Sequence, residues 1–276
     1  MQASTIGTVF LKVHDLELMS RFYQDIIGLH VRHEDDAIAV LGAGDDDLLV
    51  LQASDGAHYP GVTGLYHFAL LLPTRLALAR SLQHFIHMRT RLQGASDHLV
   101  SEALYLADPE GNGIEIYWDR PRETWFRAGE LQMDTVPLDI QDLINELAVI
   151  PPEEDVWTGL PAGTTVGHIH LHVASIQESE HFYREILGLD VLFNIGSALF
   201  MSYEGYHHHI GANVWGGRNV PPSDALGLDK FVLRLADADQ RNTIVDRLIT
   251  AQIPVDKTDD GYLTHDPSNN AILLVA

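Results

Sequence analysis

The chain has 276 residues, 46% of them hydrophobic and 20% charged. That is an ordinary globular composition with material for a sizeable core, and it does not indicate disorder. The formal net charge of −22 argues against nucleic acid and anionic membrane surfaces as partners, because both are polyanions. With no cysteine and 16 histidines, disulfides and thiolate metal sites are excluded, and any metal must be held by nitrogen and oxygen. No apolar stretch approaches the roughly 20 residues that span a bilayer. No signal-peptide pattern precedes the first strand-like run, so a cytoplasmic location is expected. A homo-oligomer is compatible with this composition.

In chain order, the first run is Gly7 to Leu29, GTVFLKVHDLELMSRFYQDIIGL. It returns without a gap at Gly167 to Leu189, GHIHLHVASIQESEHFYREILGL. Phe22-Tyr23 matches Phe182-Tyr183, and Gly28-Leu29 matches Gly188-Leu189. A weaker pair links Gly64 through Pro73 with Gly227 through Ala236, and Asp108-Pro109 with Asp266-Pro267. The chain is therefore internally duplicated and divides into four modules, at about 6–53, 64–119, 166–215 and 227–276.

Each module opens with an apolar or alternating run that reads as a strand, and a helical stretch follows. In the first module Leu18, Phe22, Ile26 and Ile27 recur at helical spacing. Gly28 then stands where a helix C-cap needs a left-handed residue. Short strands such as AIAVLGA, LLVLQA and LFMSY close the modules. The pattern is β-α-β-β-β four times over, an α+β fold. Residues 120–163 break the period. Pro121, Pro151 and Pro152 mark them as a connector, and LDIQDLINELA within it has the spacing of a short linking helix. The expected domains are 1–119 (first module pair), 120–163 (connector) and 164–276 (second pair).

HFYREILGL and DPEGNGIEIYWDRP resemble signatures of the vicinal-oxygen-chelate superfamily of glyoxalases, bleomycin-resistance proteins and extradiol dioxygenases. Four modules in one chain are similar to the extradiol ring-cleaving enzymes, bacterial catechol 2,3-dioxygenases in particular. The resemblance covers nearly the whole chain outside the connector. It implies two cup-shaped mixed sheets built from the four βαβββ modules.

Aligned by their first strands, the modules present Thr8, His67, His168 and Lys230 at one position. Aligned by its last strand, the second module presents Glu115 where the fourth has Leu273. Two histidines and one glutamate thus survive at equivalent positions. Two imidazoles and a carboxylate with open positions suit non-heme Fe(II), and Mn(II) is a second candidate. The chain order differs from that of familiar extradiol enzymes, since the module bearing His67 and Glu115 comes before the one bearing His168. Modules two and three must then share one sheet. Strand alternation also puts His170 and His172 on the face of His168, and either is a substitute ligand.

The resemblance further implies acid–base residues. GYHHHIGANVW, read as an apolar strand, aligns His208 with the acid–base group beside the O₂ site, while parity sends His207 and His209 to the other face. Tyr105, ten residues before Glu115, matches a tyrosine that hydrogen-bonds the substrate oxygen. His98 matches a substrate histidine if the loop is two residues shorter. The implied activity is O₂-dependent cleavage of a catechol-type aromatic next to its two hydroxylated carbons, as in aromatic hydrocarbon catabolism. Two other classes share this architecture. A glyoxalase-type lyase or isomerase would use Ni, Zn or Co and a fourth ligand such as His170 or His98. A bleomycin-resistance-like binding protein would generally lack the triad. No P-loop, Rossmann fingerprint, HExxH or GxSxG competes.

Overall fold

The computed structural model describes residues 3–151 and 156–276. Pro152, one of the prolines expected to mark the connector, lies outside them. The first module comprises β1 (Thr5–Val13), α1 (Leu16–Phe22), β2 (His30–Glu34), β3 (Ile38–Ala43) and β4 (Asp46–Ala53). The second comprises β5 (Gly64–Leu71), α2 (Arg75–His87), β6 (Gly94–Asp97), β7 (Ser101–Ala107) and β8 (Gly113–Asp119). The connector holds three two-residue strands, β9 (Phe126–Arg127), β10 (Glu130–Leu131) and β11 (Val136–Pro137), and the expected helix α3 (Ile140–Asn145). The third module is β12 (Thr165–His172), α4 (Ile176–Glu180), β13 (Asp190–Asn194), β14 (Ala198–Ser202) and β15 (Ile210–Asn213). The fourth is β16 (Gly227–Arg234), α5 (Ala238–Thr250), β17 (Val255–Lys257), β18 (Tyr262–His265) and β19 (Ala271–Val275).

The helices start where a short polar side chain can cap them. Asp15, Thr74, Ser175 and Asp237 each accept a backbone N–H of the first turn, satisfying donors that have no partner within the helix. Asp139 does the same for α3. Helices α1 and α4 both run on into a π-helical turn, at Tyr23–Ile27 and His181–Ile186. Gly28 ends the first of these at φ 90°, the left-handed conformation expected of it.

The repeated Phe-Tyr and Asp-Pro pairs have a physical reason. Tyr23 Oη donates to Asp108 Oδ2 at 2.8 Å, and Tyr183 Oη donates to Asp266 Oδ2 at 3.0 Å. Each aspartate also accepts two backbone amides and an asparagine side chain, from Asn112 or Asn270. Burial raises the pKa of both phenols and both carboxyls. The motif is a buried polar lock, repeated with the module.

Internal contacts gather the chain into two compact units, one of Met1–His14, Leu49–Phe68 and Val166–Ala276, the other of Asp15–Leu48 and Ala69–Thr165. In the first, β1 pairs antiparallel with β16, β16 parallel with β19, and β12 parallel with β15. In the second, β7 pairs antiparallel with both β6 and β8. There Arg75 binds Glu102, Asp142 and Glu146 at 2.6–2.8 Å, tethering α3 to α2. The strand orders are β17-β18-β19-β16-β1-β4-β3-β2 in one sheet and β11-β6-β7-β8-β5-β12-β15-β14-β13 in the other. Modules two and three therefore share a sheet, as do modules four and one.

Alternation then divides each strand between a core and an opposite face. Val9 and Leu11 of β1, Ile169 and Leu171 of β12, Phe68 and Leu70 of β5, and Ile114 and Ile116 of β8 are completely buried. Each such side chain contributes roughly 1.5–3 kcal/mol through burial. The residues between them face the other way and are free to carry chemistry.

Candidate metal centre

On that opposite face lie His67, Ala69 and Leu71 of β5, Glu115 and Tyr117 of β8, Ala103 and Tyr105 of β7, and His168, His170 and His172 of β12. Since β7, β8, β5 and β12 are neighbours in strand order, Tyr105, Glu115, His67 and His168 come from four consecutive strands. Adjacent strands lie about 4.8 Å apart, the right spacing for side chains to converge. Tyr105 and Glu115 are directly paired across β7 and β8, which accounts for their separation along the chain. One ligand atom each of His67, Glu115 and His168 lies within 4.8 Å of the others, and all three residues are buried.

His170 is not one of the three residues whose ligand atoms converge. In the third module the position equivalent to Glu115 is Gly211. A Cβ there would meet the His170 ring at 2.8 Å, so the imidazole fills the space of the missing carboxylate. Further along β12, His172 Nδ1 donates to Asn213 Oδ1 at 2.8 Å, which also accepts from the Trp215 N–H at 3.0 Å.

The triple histidine departs from the expectation. His207, His208 and His209 do not sit in a strand; they follow a turn with Glu204 at φ 57° and Gly205 at φ 67°, and β15 begins only at Ile210. Strand parity therefore does not apply, and His207 is not sent to the far side. Its Nδ1 lies 2.8 Å from that of His208, so one of the pair carries the hydrogen that the other accepts. The His208 ring is centred 4.1 Å from that of His168, and the His207 ring 6.1 Å from it. The Glu-Gly dipeptide ahead of the run was the sequence signal of that turn. Burial, and then the charges of neighbouring imidazoles beginning with His168, hold His208 well below the usual histidine range. It is a neutral ring at neutral pH.

Tyr105 packs its ring against Ala69, Ala103 and Tyr117, and its hydroxyl lies 2.7 Å from His98 Nε2. His98 Nδ1 is 3.0 Å from the carbonyl oxygen of Asp134. A carbonyl only accepts, so Nδ1 carries a hydrogen, and in the neutral ring Nε2 is the acceptor of the tyrosine O–H. The connector thus fixes the tautomer that orients Tyr105.

Two further aromatic residues stand beside the histidine strand. The Tyr66 ring lies 5.0–5.7 Å from those of His67, His170, His172 and Trp215. Tyr66 and Trp215 are both exposed. Their nearness to the histidine strand is long-range and left no local signal.

Residues 5–116 match the model of the glyoxalase/bleomycin resistance protein/dioxygenase superfamily. A catechol-2,3-dioxygenase of Bacillus subtilis (strain 168) is 42% identical over 97% of this chain and 95% of its own length. A biphenyl-2,3-diol 1,2-dioxygenase of Rhodococcus globerulus is 27% identical over 46% of this chain and 72% of its own. Among solved structures, glyoxalase I from Zea mays superposes with a TM-score of 0.59 at 13% identity, covering 99% of this chain and 92% of that one.

Proposed function

The chain belongs to the glyoxalase/bleomycin resistance protein/dioxygenase superfamily, on its catechol-2,3-dioxygenase side, and we infer that His67, Glu115 and His168 hold the iron of an extradiol ring-cleaving dioxygenase. The observation that carries this reading is the convergence of one ligand atom from each of these residues within 4.8 Å in a buried place. The donor set fits the metal. Two imidazoles and one carboxylate, with no thiolate in the chain, suit Fe(II) while leaving positions for a bidentate ligand and O₂. When bound, Fe(II) supplies Lewis acidity toward a catechol hydroxyl and redox coupling between ring and O₂.

The other residues supply binding and proton handling. His208, neutral and against the His168 ring, takes a proton from the incoming catechol and returns one as the ring opens. His207 is hydrogen-bonded to it and fixes its orientation. Tyr105, on the strand beside Glu115, has given its one hydrogen to His98 and offers its oxygen as an acceptor to a substrate hydroxyl. His98 holds that hydroxyl in place. Tyr66 and Trp215 flank the histidine strand with aromatic faces suited to a flat ring. The substrates proposed are a small catechol-type aromatic and O₂. No helix among the described residues is long and apolar enough to cross a membrane, and the proposed location is the cytoplasm.

The test is direct. Protein loaded anaerobically with Fe(II) should turn a catechol yellow when air is admitted, consuming one O₂ per ring. Colourless mixtures across a broad catechol panel, with iron bound stoichiometrically, would sink the assignment.

A further inference from the structure

The sheet that unites modules four and one contains a cavity of about 460 Å³. It lies at the counterpart of the metal centre. By the repeat, Lys230 of β16 stands where His67 stands, Asp229 where Tyr66 stands, and Lys12 of β1 where His172 stands. Leu273 and Leu263 replace Glu115 and Tyr105, and these two are again directly paired, across β18 and β19. All five line the cavity. Its size is within the range of about 300–1,000 Å³ typical of small-molecule sites.

The chemistry has been exchanged, not erased. Pro221, Pro222, Leu228, Leu263 and Leu273 make apolar walls. Lys12 Nζ lies 3.2 Å from Asp229 Oδ1 and Lys230 Nζ lies 2.9 Å from Asp229 Oδ2. Lys230 Nζ also sits 4.2 Å from the centre of the Phe10 ring. One carboxylate is thus shared by two ammonium groups, and each ammonium carries three donors. Asp229 is held ionised. Burial alone would raise its pKa, but hydrogen bonds and charge from Lys230 and Lys12 outweigh that and lower it. Asp260, on an exposed turn, and His265 complete the titratable lining. In a chain of net charge −22, two lysines meet in one hollow of mixed polar and apolar lining, and the ammonium hydrogens that Asp229 leaves unfilled are the donors open to an incoming carboxylate. Lys230 and Leu273, the residues at metal-ligand positions that line this cavity, cannot ligate a cation.

We propose that this cavity is a second, metal-free ligand site that binds a small organic monocarboxylate with an apolar body, its carboxylate on Lys12 and Lys230 and its body against Leu228, Leu263 and Leu273. Benzoate is a suitable probe because it has the carboxylate and the flat ring but lacks the vicinal hydroxyls that chelate iron. Benzoate is titrated calorimetrically into the full-length protein and into the variants Lys230→Met, Leu228→Trp and His168→Ala. The expected result is saturable binding to the wild type that survives in His168→Ala and weakens at least tenfold in both Lys230→Met and Leu228→Trp. A thermal melt shows that each variant is folded, and Leu228→Trp, which fills the cavity without touching its charges, decides the matter if Lys230→Met is not. No saturable binding in the wild type would overturn the proposal. So would binding that His168→Ala abolishes and Leu228→Trp leaves unchanged, since that places benzoate at the metal centre.

Discussion

Apart from β11, which only one of them has, the two long sheets of this protein repeat one another strand for strand, and they differ mainly on one face. On the core face the exchange is conservative: Val9 and Leu11 of β1 stand where Ile169 and Leu171 of β12 stand, and Phe231 and Leu233 of β16 where Phe68 and Leu70 of β5 stand, all completely buried. On the opposite face the chemistry is replaced outright. Thr8, Phe10 and Lys12 answer His168, His170 and His172, while Lys230 answers His67 and Leu273 answers Glu115. Close packing penalises volume changes on the core face. The other face, which borders a cavity in the sheet of modules four and one, tolerates them. A duplicated module can therefore keep its backbone and give up the proposed metal ligands by changing three side chains.

The largest expected effect comes from pushing one sheet toward the other. Glu115→Leu imports the residue of the fourth module, and His168→Thr imports that of the first. Either should abolish retention of iron through gel filtration and lower kcat by about a thousandfold or more, while the fold survives, since Leu and Thr already occupy these positions in the sister sheet. Iron content by atomic absorption, beside the ring-cleavage rate, checks this. A variant that keeps one iron per chain would show that the ligand set is drawn wrongly. His208→Phe should act differently, with iron retained and kcat reduced by about 10²–10⁴, the range of a lost general acid–base group. An unchanged rate would assign the ring to packing against His168.

Much of this comparison was legible in the sequence, because duplication turns each module into a control for the others. The four modules, the helix of the connector and the convergence of His67, Glu115 and His168 follow from aligning the repeats and applying strand alternation. The histidine run departs from strand parity for a local reason. Its apolar flanks read as strand, but Glu204 and Gly205 at positive φ delay the strand to Ile210, which puts His207 and His208 on the same side. Two further features depend on contacts distant in sequence. The bond from Asp134 that sets the tautomer of His98 comes from the connector, and Tyr66 meets Trp215 only once β5 and β12 are neighbours. Neither leaves a periodicity that a single chain could reveal.

Stability should not distinguish the two halves of the duplication as activity distinguishes the sheets. Tyr23→Phe and Tyr183→Phe each remove one buried donor to a carboxylate, at 2.8 and 3.0 Å. A hydrogen bond to a charged group is worth about 1.5–3 kcal/mol. Both variants should lose that much in urea unfolding, with equal m-values and near-normal activity. If one lock matters and the other does not, the two module pairs, one and two against three and four, are not equivalent as frameworks.

The smallest expected effect is an acid limb that belongs to one sheet only. His209 Nδ1 accepts the Tyr203 N–H at 3.2 Å, so that nitrogen must stay bare in the folded protein. Burial, followed by the charges of His207 and His168, pushes its pKa down to about 3, whereas an unfolded histidine titrates near 6.5. Between those values the unfolded chain binds the extra proton. The stabilisation is therefore complete above pH 6.5 and is lost as the pH falls toward 3, at no more than about 1.4 kcal/mol per pH unit. The equivalent residue in the first module is Leu48, which is buried and does not titrate. His209→Asn keeps a side-chain acceptor near the Tyr203 amide and removes the titration. Its unfolding free energy should fall less steeply than that of the wild type from pH 6.5 to 5, by up to one proton's worth of slope. Parallel acid limbs would mean that the His209 proton is bound equally in the folded and unfolded states, and that the two sheets meet acid alike at this position.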